Sequence, residues 1–545
     1  MIDEGRRGNG AGIKLGAIAT TALKIMVFAG LLPIARPVWA LATSLTAEGI
    51  DALRLHGDPY HLTGAKIAIG QVEIGRPGQF GLDKLAYEHM PVAVRRVLWL
   101  NRWANPDDYV DGHAANVAGV MISQDKRYPG VAPDALLYSA AIGELGEVSS
   151  QPQECLAAQA VANQNGGDVR AINLSFGEPL SRDPREQPQL DGNALLTQCI
   201  DWSSRVHQTL YVVAGNQGLG GIPIPTDNFN GINVAYSRRL DGVFRKIDFA
   251  NLGSEPTLRS PRSPGTESNE GPRRSINLVA PGNQVTLIDP DGQITTGSGT
   301  SFAAPHVVGT VALLQQLVDR QLRAGVEHSS LEGRHPLVMK AVLLNSADKL
   351  EDEGDGQRLG MGRTLLDAYN RTWLDSDAYR DLTIPLHRDL GTGHLNAYRA
   401  YQQLLPGTWG PGEVPTVGWH YSASPEQEGA RYQDYRFTDP LQAGSYLSAT
   451  LTWQRRVDLV DSNGNGSYDL GEGFRAAPLA NLDLYLLPAD ANDLSQSVWA
   501  STSQVDSVEH IFYPIPKTGS YKLRVVYPPS VEPYALAWWA RSAQP

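Results

Sequence analysis

Between residues 64 and 320 the hydrophobic positions fall into two alternating kinds of run. AKIAIGQVEIG (65–75), GVAPDALLYSAAI (130–142), VRAINLSFG (169–177) and TLYVVAGNQG (209–218) are short, apolar, rich in β-branched residues and close on or beside glycine. HAANVAGVMIS (113–123), ECLAAQAVANQ (154–164) and NALLTQCIDWSSRVHQTL (193–210) carry helical patterns between them. Near-continuous apolar strands alternating with helices predict a parallel sheet covered on both faces. Such sheets place their sites just beyond the carboxyl ends of the strands, where Glu73, Ser175 and Asn216 fall. Helices are predicted at 301–322 and 336–348. LLPGTWGPGEVPTVGW (404–419) reads as a Pro/Gly-rich linker, and beyond it the pattern changes to period two in SYLSATLTW, NLDLYLLP, VEHIFYPI, SYKLRVVY and YALAWW. The fold expected is therefore a mostly parallel α/β domain over 43–403, a linker over 404–419 and a smaller all-β sandwich over 420–545.

The first 42 residues break this pattern. Arg6, Arg7, Lys14 and Lys24 precede the apolar run IMVFAGLLPIA (25–35), and Ala40-Leu41-Ala42 offers a small-residue cleavage site. That is the three-part layout of a secretory signal peptide, so export is expected, with an uncleaved anchor as the alternative. The apolar run is too short to span a bilayer, and no stable membrane span is expected once it is removed. A net charge of -12 leaves no basic surplus to neutralise phosphates, which excludes a nucleic-acid partner and loose docking on an anionic membrane. The two cysteines, Cys155 and Cys199, sit in helix-like segments and fit one disulfide in an exported protein, with two free buried thiols as the alternative.

The chemistry is concentrated in GSGTSFAAPHVVG (297–309). A hydroxyl opening a helix gains from the unpaired N–H groups and the dipole there, which favour developing negative charge. The small and apolar residues after Ser301 suit a buried helix that fixes the hydroxyl, and Pro305 is tolerated only near the helix start. A nucleophilic serine also needs a base, an orienting group and oxyanion donors. His113, opening a helix of small residues, is the candidate base. Glu73, at a strand end, is the candidate acid, with Gln71 as the alternative under a different alignment, and Asn216 is the candidate oxyanion donor.

Taken together, GTSFAAPHVVG, HAANVAG, YVVAGNQG, INLSFG, INLVAPG, MKAVLLNSA and GTGHLNAYRAY resemble the subtilisin-like serine proteases, in which acid, histidine and serine occur in this order. The likeness covers about residues 45 to 402. It implies a three-layer subtilisin-like domain and peptide-bond hydrolysis in protein or peptide substrates, with no cofactor for catalysis and a monomeric enzyme. It also implies that Ser175, Phe176 and Gly177 line the substrate cleft. Glu73-Ile74-Gly75 stands where the family has aspartate followed by Thr or Ser and Gly, Ala114-Ala115-Asn116 replaces Gly-Thr-His, and Phe302 replaces a common Met. The match starts almost directly after the expected cleavage site and leaves little room for the inhibitory folding propeptide many relatives carry, so either the chain folds unaided or the N-terminal segment is not a signal peptide cleaved there. Two rival readings are a catalytically inactive relative kept as a binding or scaffold protein, and an esterase of another α/β fold. The esterase is opposed by the lack of a G-x-S-x-G elbow around Ser301 and by a histidine that precedes the serine.

In the β region, DSNGNGSYDLGE (461–472) has the alternating-ligand layout of a calcium loop: Asp461, Asn463, Asn465, the Ser467 carbonyl, Asp469 and Glu472, with Gly466 at the sixth position. A structural calcium ion is expected there, with an Asn/Gly-rich hairpin turn as the alternative. The sandwich resembles, in type and position, the small β domains that follow the catalytic domain in secreted bacterial proteases.

Overall fold

Every residue of the strand Ala68–Glu73 is buried, because helices cover both faces of the sheet it centres. Leu136–Ala141 pairs parallel on one side of it and Val169–Leu174 parallel on the other. In the computed structural model, which describes residues 40–144, 150–215, 224–240, 243–246, 273–290, 292–423, 431–529 and 532–543, the sheet continues outward in both directions. Val94–Trp99 lies beyond Leu136–Ala141; Leu210–Ala214 and then Ile232–Leu240 follow Val169–Leu174 in parallel. Leu278–Pro281 adds a further parallel strand against Ile232–Leu240.

Alternation along the strands separates two cores. Ile69, Leu137, Ala171 and Val212 pack with Val117, Val307, Val308 and Leu313 of the helices Gly112–Ile122 and Thr300–Ala324. Val72, Ala140, Ile172 and Tyr211 pack on the other face with Ala157, Val161, Leu196 and Ile200 of the helices Gln151–Ala162 and Leu195–Val206. The result is the expected three-layer, mostly parallel α/β arrangement. The helix Thr300–Ala324 is apolar and long enough to cross a membrane, but it is buried in this core along its apolar length. Residues 1–39, which carry most of the expected signal peptide, lie outside the described residues, and Ala40-Leu41-Ala42 begin a short helix, Ala40–Leu45.

The C-terminal region is all β. A five-stranded sheet and a four-stranded sheet enclose a third core that includes Leu447, Leu451, Trp453, Leu486, Leu523 and Trp538. The span 404–419, expected from composition to be a linker, holds the strand Gly412–Val414 of the first sheet and the start of Val417–Ser422 of the second. Pro415 falls between the two strands, where the chain changes sheets and no ladder donor is needed. The four-stranded sheet packs on the helix Pro336–Asn345 with buried polar contacts. Ser448 Oγ and Thr450 Oγ1 donate to Asn345 Oδ1 at 2.9 and 3.1 Å, and Gln403 Nε2 donates to the carbonyls of Gly418 and Trp538, each at 2.9 Å.

Candidate active site

Glu73 is the last residue of its strand, so its side chain leaves the sheet at the carboxyl edge. It is 1% exposed, and its Oε2 stands 3.3 Å from His113 Nδ1. Oε1 is buried with no hydrogen-bond partner. Gln71, the alternative, donates instead through Nε2 to the Ala114 carbonyl at 2.9 Å, so it anchors the histidine helix by its backbone. That separates the two candidates: Glu73 is the group paired with the imidazole.

His113 sits in the first turn of the helix Gly112–Ile122, whose N-cap Asp111 accepts from the N–H groups of His113 at 3.3 Å and Ala114 at 3.4 Å. The glycine of Glu73-Ile74-Gly75 makes this approach possible, since a Cβ at Gly75 would lie 2.3 Å from Asp111 Cβ. Burial disfavours the charged imidazolium of His113, but the attraction and hydrogen bond of Glu73, with Asp111 behind, outweigh it and hold the pKa above 6.5.

Ser301 is the second residue of the helix Thr300–Ala324. The two glycines before it are explained by contact and conformation. A Cβ at Gly297 would lie 2.5 Å from the Phe302 ring, and the N-cap Gly299 has φ +154°, which a side chain rarely adopts. Pro305 has no N–H, so the Ser301 carbonyl loses its intrahelical donor four residues on. Ser175 fills that gap: its Oγ donates to the Ser301 carbonyl at 2.9 Å, and Asn173 Nδ2 donates to Ser175 Oγ at 2.8 Å. In return Ser301 Oγ donates to the Ser175 carbonyl at 3.4 Å. This reciprocal clasp joins the start of the helix Thr300–Ala324 to the end of the strand Val169–Leu174. Among the described residues no hydrogen bond joins Ser301 Oγ to His113. Phe302 bridges the neighbourhood, with its ring 5.7 Å from that of His113.

Phe176 is buried and Gly177 half-buried immediately after the clasp, and Glu178 then pairs with Ile224 through two backbone hydrogen bonds at 2.8 and 3.1 Å. Asn216 lies outside the described residues. Two contributors went unrecognised in the sequence. Asn173 shares a strand face with Ser175, a period-two signal; Asn116, noted only as a departure, donates through Nδ2 to Asp289 Oδ1 at 3.0 Å and ties the histidine helix to the hairpin before Ser301.

The remaining candidates lie elsewhere. Cys155 and Cys199 are joined by a disulfide between the two helices on the far face of the sheet. The segment 461–472 connects the hairpin strands Val457–Val460 and Gly473–Ala476, which pack beside those helices. Its carboxylates are occupied by the loop itself. Asp461 accepts from the N–H groups of Gly464 and Gly466, Glu472 from Ser462 and Asp469, and Asp469 from the amides of Asn463 and Asn465. The Ser467 N–H donates to Asn465 Oδ1. Among the described residues no group of three or more His, Cys, Asp or Glu side chains converges to hold a metal.

Glu73, His113 and the start of the serine's helix thus lie together at the carboxyl edge of a mostly parallel sheet in a three-layer domain. Residues 89–362, just over half of the chain, match the model of the subtilase family, and the chain belongs to that family. Glu73 precedes the matched span. The chain is 30% identical over 207 residues to subtilisin DY of Bacillus licheniformis, covering 37% of this chain and 63% of that protein. It is 26% identical over 250 residues to an intracellular serine protease of Paenibacillus polymyxa, covering 45% and 66% respectively. The match thus spans less than two thirds of the length of either relative. Among solved structures, the prenylagaramide maturation protease PagA is similar with a TM-score of 0.41 and 19% identity, over 66% of this chain and 99% of that one.

Proposed function

We propose that this chain is a serine endopeptidase that hydrolyses peptide bonds through an acyl-enzyme at Ser301. The observation that carries the reading is the Glu73–His113 pair, 3.3 Å apart, beside a helix that starts at the serine. Ser301 Oγ attacks the scissile carbonyl while His113 takes its proton, and the proton then passes to the leaving amine. Water repeats the cycle on the ester and releases the acid. Glu73 holds the imidazole in the tautomer with its proton on Nδ1 and stabilises the imidazolium. The backbone N–H of Ser301, at a helix N-terminus, and the Asn216 amide are the proposed oxyanion donors. Ser175, Phe176 and Gly177 form the proposed substrate edge. Hydrolysis of an unfolded protein substrate by the wild type, abolished in Ser301→Ala, is expected; equal hydrolysis by both would refute the assignment.

Export and a monomeric state belong to the same proposal. Export is supported by the basic residues, apolar run and Ala40-Leu41-Ala42 of the N-terminal segment. Calcium in 461–472 is supported by the alternating oxygen-bearing positions, while the loop's own hydrogen bonds already occupy its carboxylates. A thermal midpoint that rises with calcium in the wild type and not in Asp461→Asn supports the ion; an unchanged midpoint leaves a plain hairpin turn.

A further inference from the structure

A second site is built where the catalytic domain meets the sandwich. A cavity of about 580 Å³ is lined by four guanidinium groups, Arg54, Arg363, Arg399 and Arg541, and by a single carboxylate, Asp51. These arginines come from four separate parts of the chain: the segment after the first helix, the loop before the strand Leu365–Leu366, the helix Ala397–Leu404, and the segment after the last strand of the sandwich. Behind the cavity wall, buried Asp348 lies 3.3 Å from Arg363 and 3.1 Å from Arg399, so one carboxylate serves two guanidiniums. Asp51 is paired with Arg54 at 3.2 Å. Asp352 also attracts Arg399, so four guanidinium groups are set against three carboxylates, which still leaves positive charge in excess in a chain whose net charge is -12.

The arginines are held in place without being saturated. Arg54 lies 4.2 Å from the Tyr398 ring centre and Arg399 lies 4.3 Å from that of Trp539. Such stacking fixes the plane of a guanidinium and leaves its edge for oxygen acceptors. Arg399, 2% exposed, has an Nη2 with no hydrogen-bond partner, and Nε of buried Arg363 and Nη1 of Arg541 are likewise unpartnered. Arg541 lies against Gly356, where φ is +72° and a Cβ would stand 2.6 Å from Nη1. Burial lowers the Arg399 pKa to about 10 and lowers that of Arg363, in each case against the pull of Asp348. A buried, underneutralised guanidinium is costly, and an oxyanion relieves that cost.

We propose that this cavity binds a small oxyanion, a phosphate monoester or a dicarboxylate, through the guanidinium groups of Arg54, Arg363, Arg399 and Arg541 that line it. The surplus charge favours an anion, and the volume exceeds what a bare inorganic ion needs, leaving room for a compact organic body. The site uses none of Glu73, His113 or Ser301, so it stands whether or not the chain is a peptidase.

The test is calorimetric titration of the full chain at constant ionic strength with glycerol 3-phosphate, with succinate, and with chloride as control. Arg541→Gln and Arg54→Gln serve as variants, because both side chains reach the rim rather than the core. Saturable millimolar or tighter binding of either dianion is expected, weakened about tenfold in Arg541→Gln. Preference between the two probes identifies the phosphate or the carboxylate as the ligand chemistry. No saturable binding by either dianion, binding equal to that of chloride, or affinity unchanged in both variants would overturn the proposal.

Discussion

Replacing Glu73 with glutamine keeps the shape of the acid and removes its charge. Glu73 Oε2 lies 3.3 Å from His113 Nδ1. Unit charges at that separation attract by about 5 kcal/mol at an effective dielectric of about 20. The His113 side chain is 41% exposed, and solvent screening brings the useful part to about 2–3 kcal/mol. That corresponds to about 30- to 150-fold in rate. Loss of control over the imidazole tautomer adds to it, so kcat/KM should fall by about 10²- to 10⁴-fold. The pH profile supplies an independent readout. Neutral His113 is the active base, so the acid limb of kcat/KM reports its pKa, which lies above 6.5 while Glu73 is charged. In Glu73→Gln the burial remains and the attraction is gone, so the limb moves to lower pH. Glu73→Asp, one methylene shorter, should retain charge and lie between the two. Initial rates on a peptide ester across pH measure all three. A Glu73→Gln enzyme with wild-type rates and an unmoved acid limb would refute the role given to Glu73.

Ser175→Ala removes the donor that replaces the one missing at Pro305 and leaves the buried Ser301 carbonyl unsatisfied, at a cost of about 1–3 kcal/mol; chemical denaturation should show that loss, with kcat/KM down about tenfold. Replacing Cys155 and Cys199 together by serine opens a cross-link across a separation of 44 residues, and loop-closure entropy puts the loss of stability at about 4 kcal/mol, read as a lower denaturation midpoint. His306 is fully buried, and burial pushes its pKa down to about 4, against the hydrogen bond its Nδ1 makes to the Phe302 carbonyl. Below about pH 6.5 the unfolded chain takes up a proton that folded His306 refuses, so its stabilising contribution is complete above that pH and is lost as pH falls toward 4, by about 3 kcal/mol. Urea unfolding at a series of pH values should show that decline, and His306→Gln should flatten it.

The sheet and the elements that carry Glu73, His113 and Ser301 were legible because their signals are local. Strands closing on glycine marked the edge where Glu73 and Ser175 emerge, and the small residues after His113 and Ser301 marked helices that pack closely on the sheet. Glu73 was preferred to Gln71 in the sequence, and the register of the strand against the histidine helix places Glu73 at the imidazole and Gln71 at the Ala114 carbonyl. The clasp between Ser175 and Ser301 joins residues 126 apart in sequence, and no local pattern encodes that juxtaposition. The Pro/Gly-rich composition of 404–419 reads as a linker, and the structure uses part of it as strand, with Pro415 at the corner where one strand ends and the next begins. The arginine cavity was invisible for a related reason: its four cations are isolated in sequence and meet only in the fold, three from the α/β part and Arg541 from the end of the sandwich.

The central claim is an activated serine at 301, served by His113 and Glu73. The most direct test is to treat the purified protein with a fluorophosphonate and locate the adduct by mass spectrometry. The account predicts a single phosphonylated peptide containing Ser301, formed far more slowly in Glu73→Gln and absent from Ser301→Ala. A folded protein that takes up no label, or one labelled at another residue, would contradict it and favour an inactive relative that binds rather than cleaves.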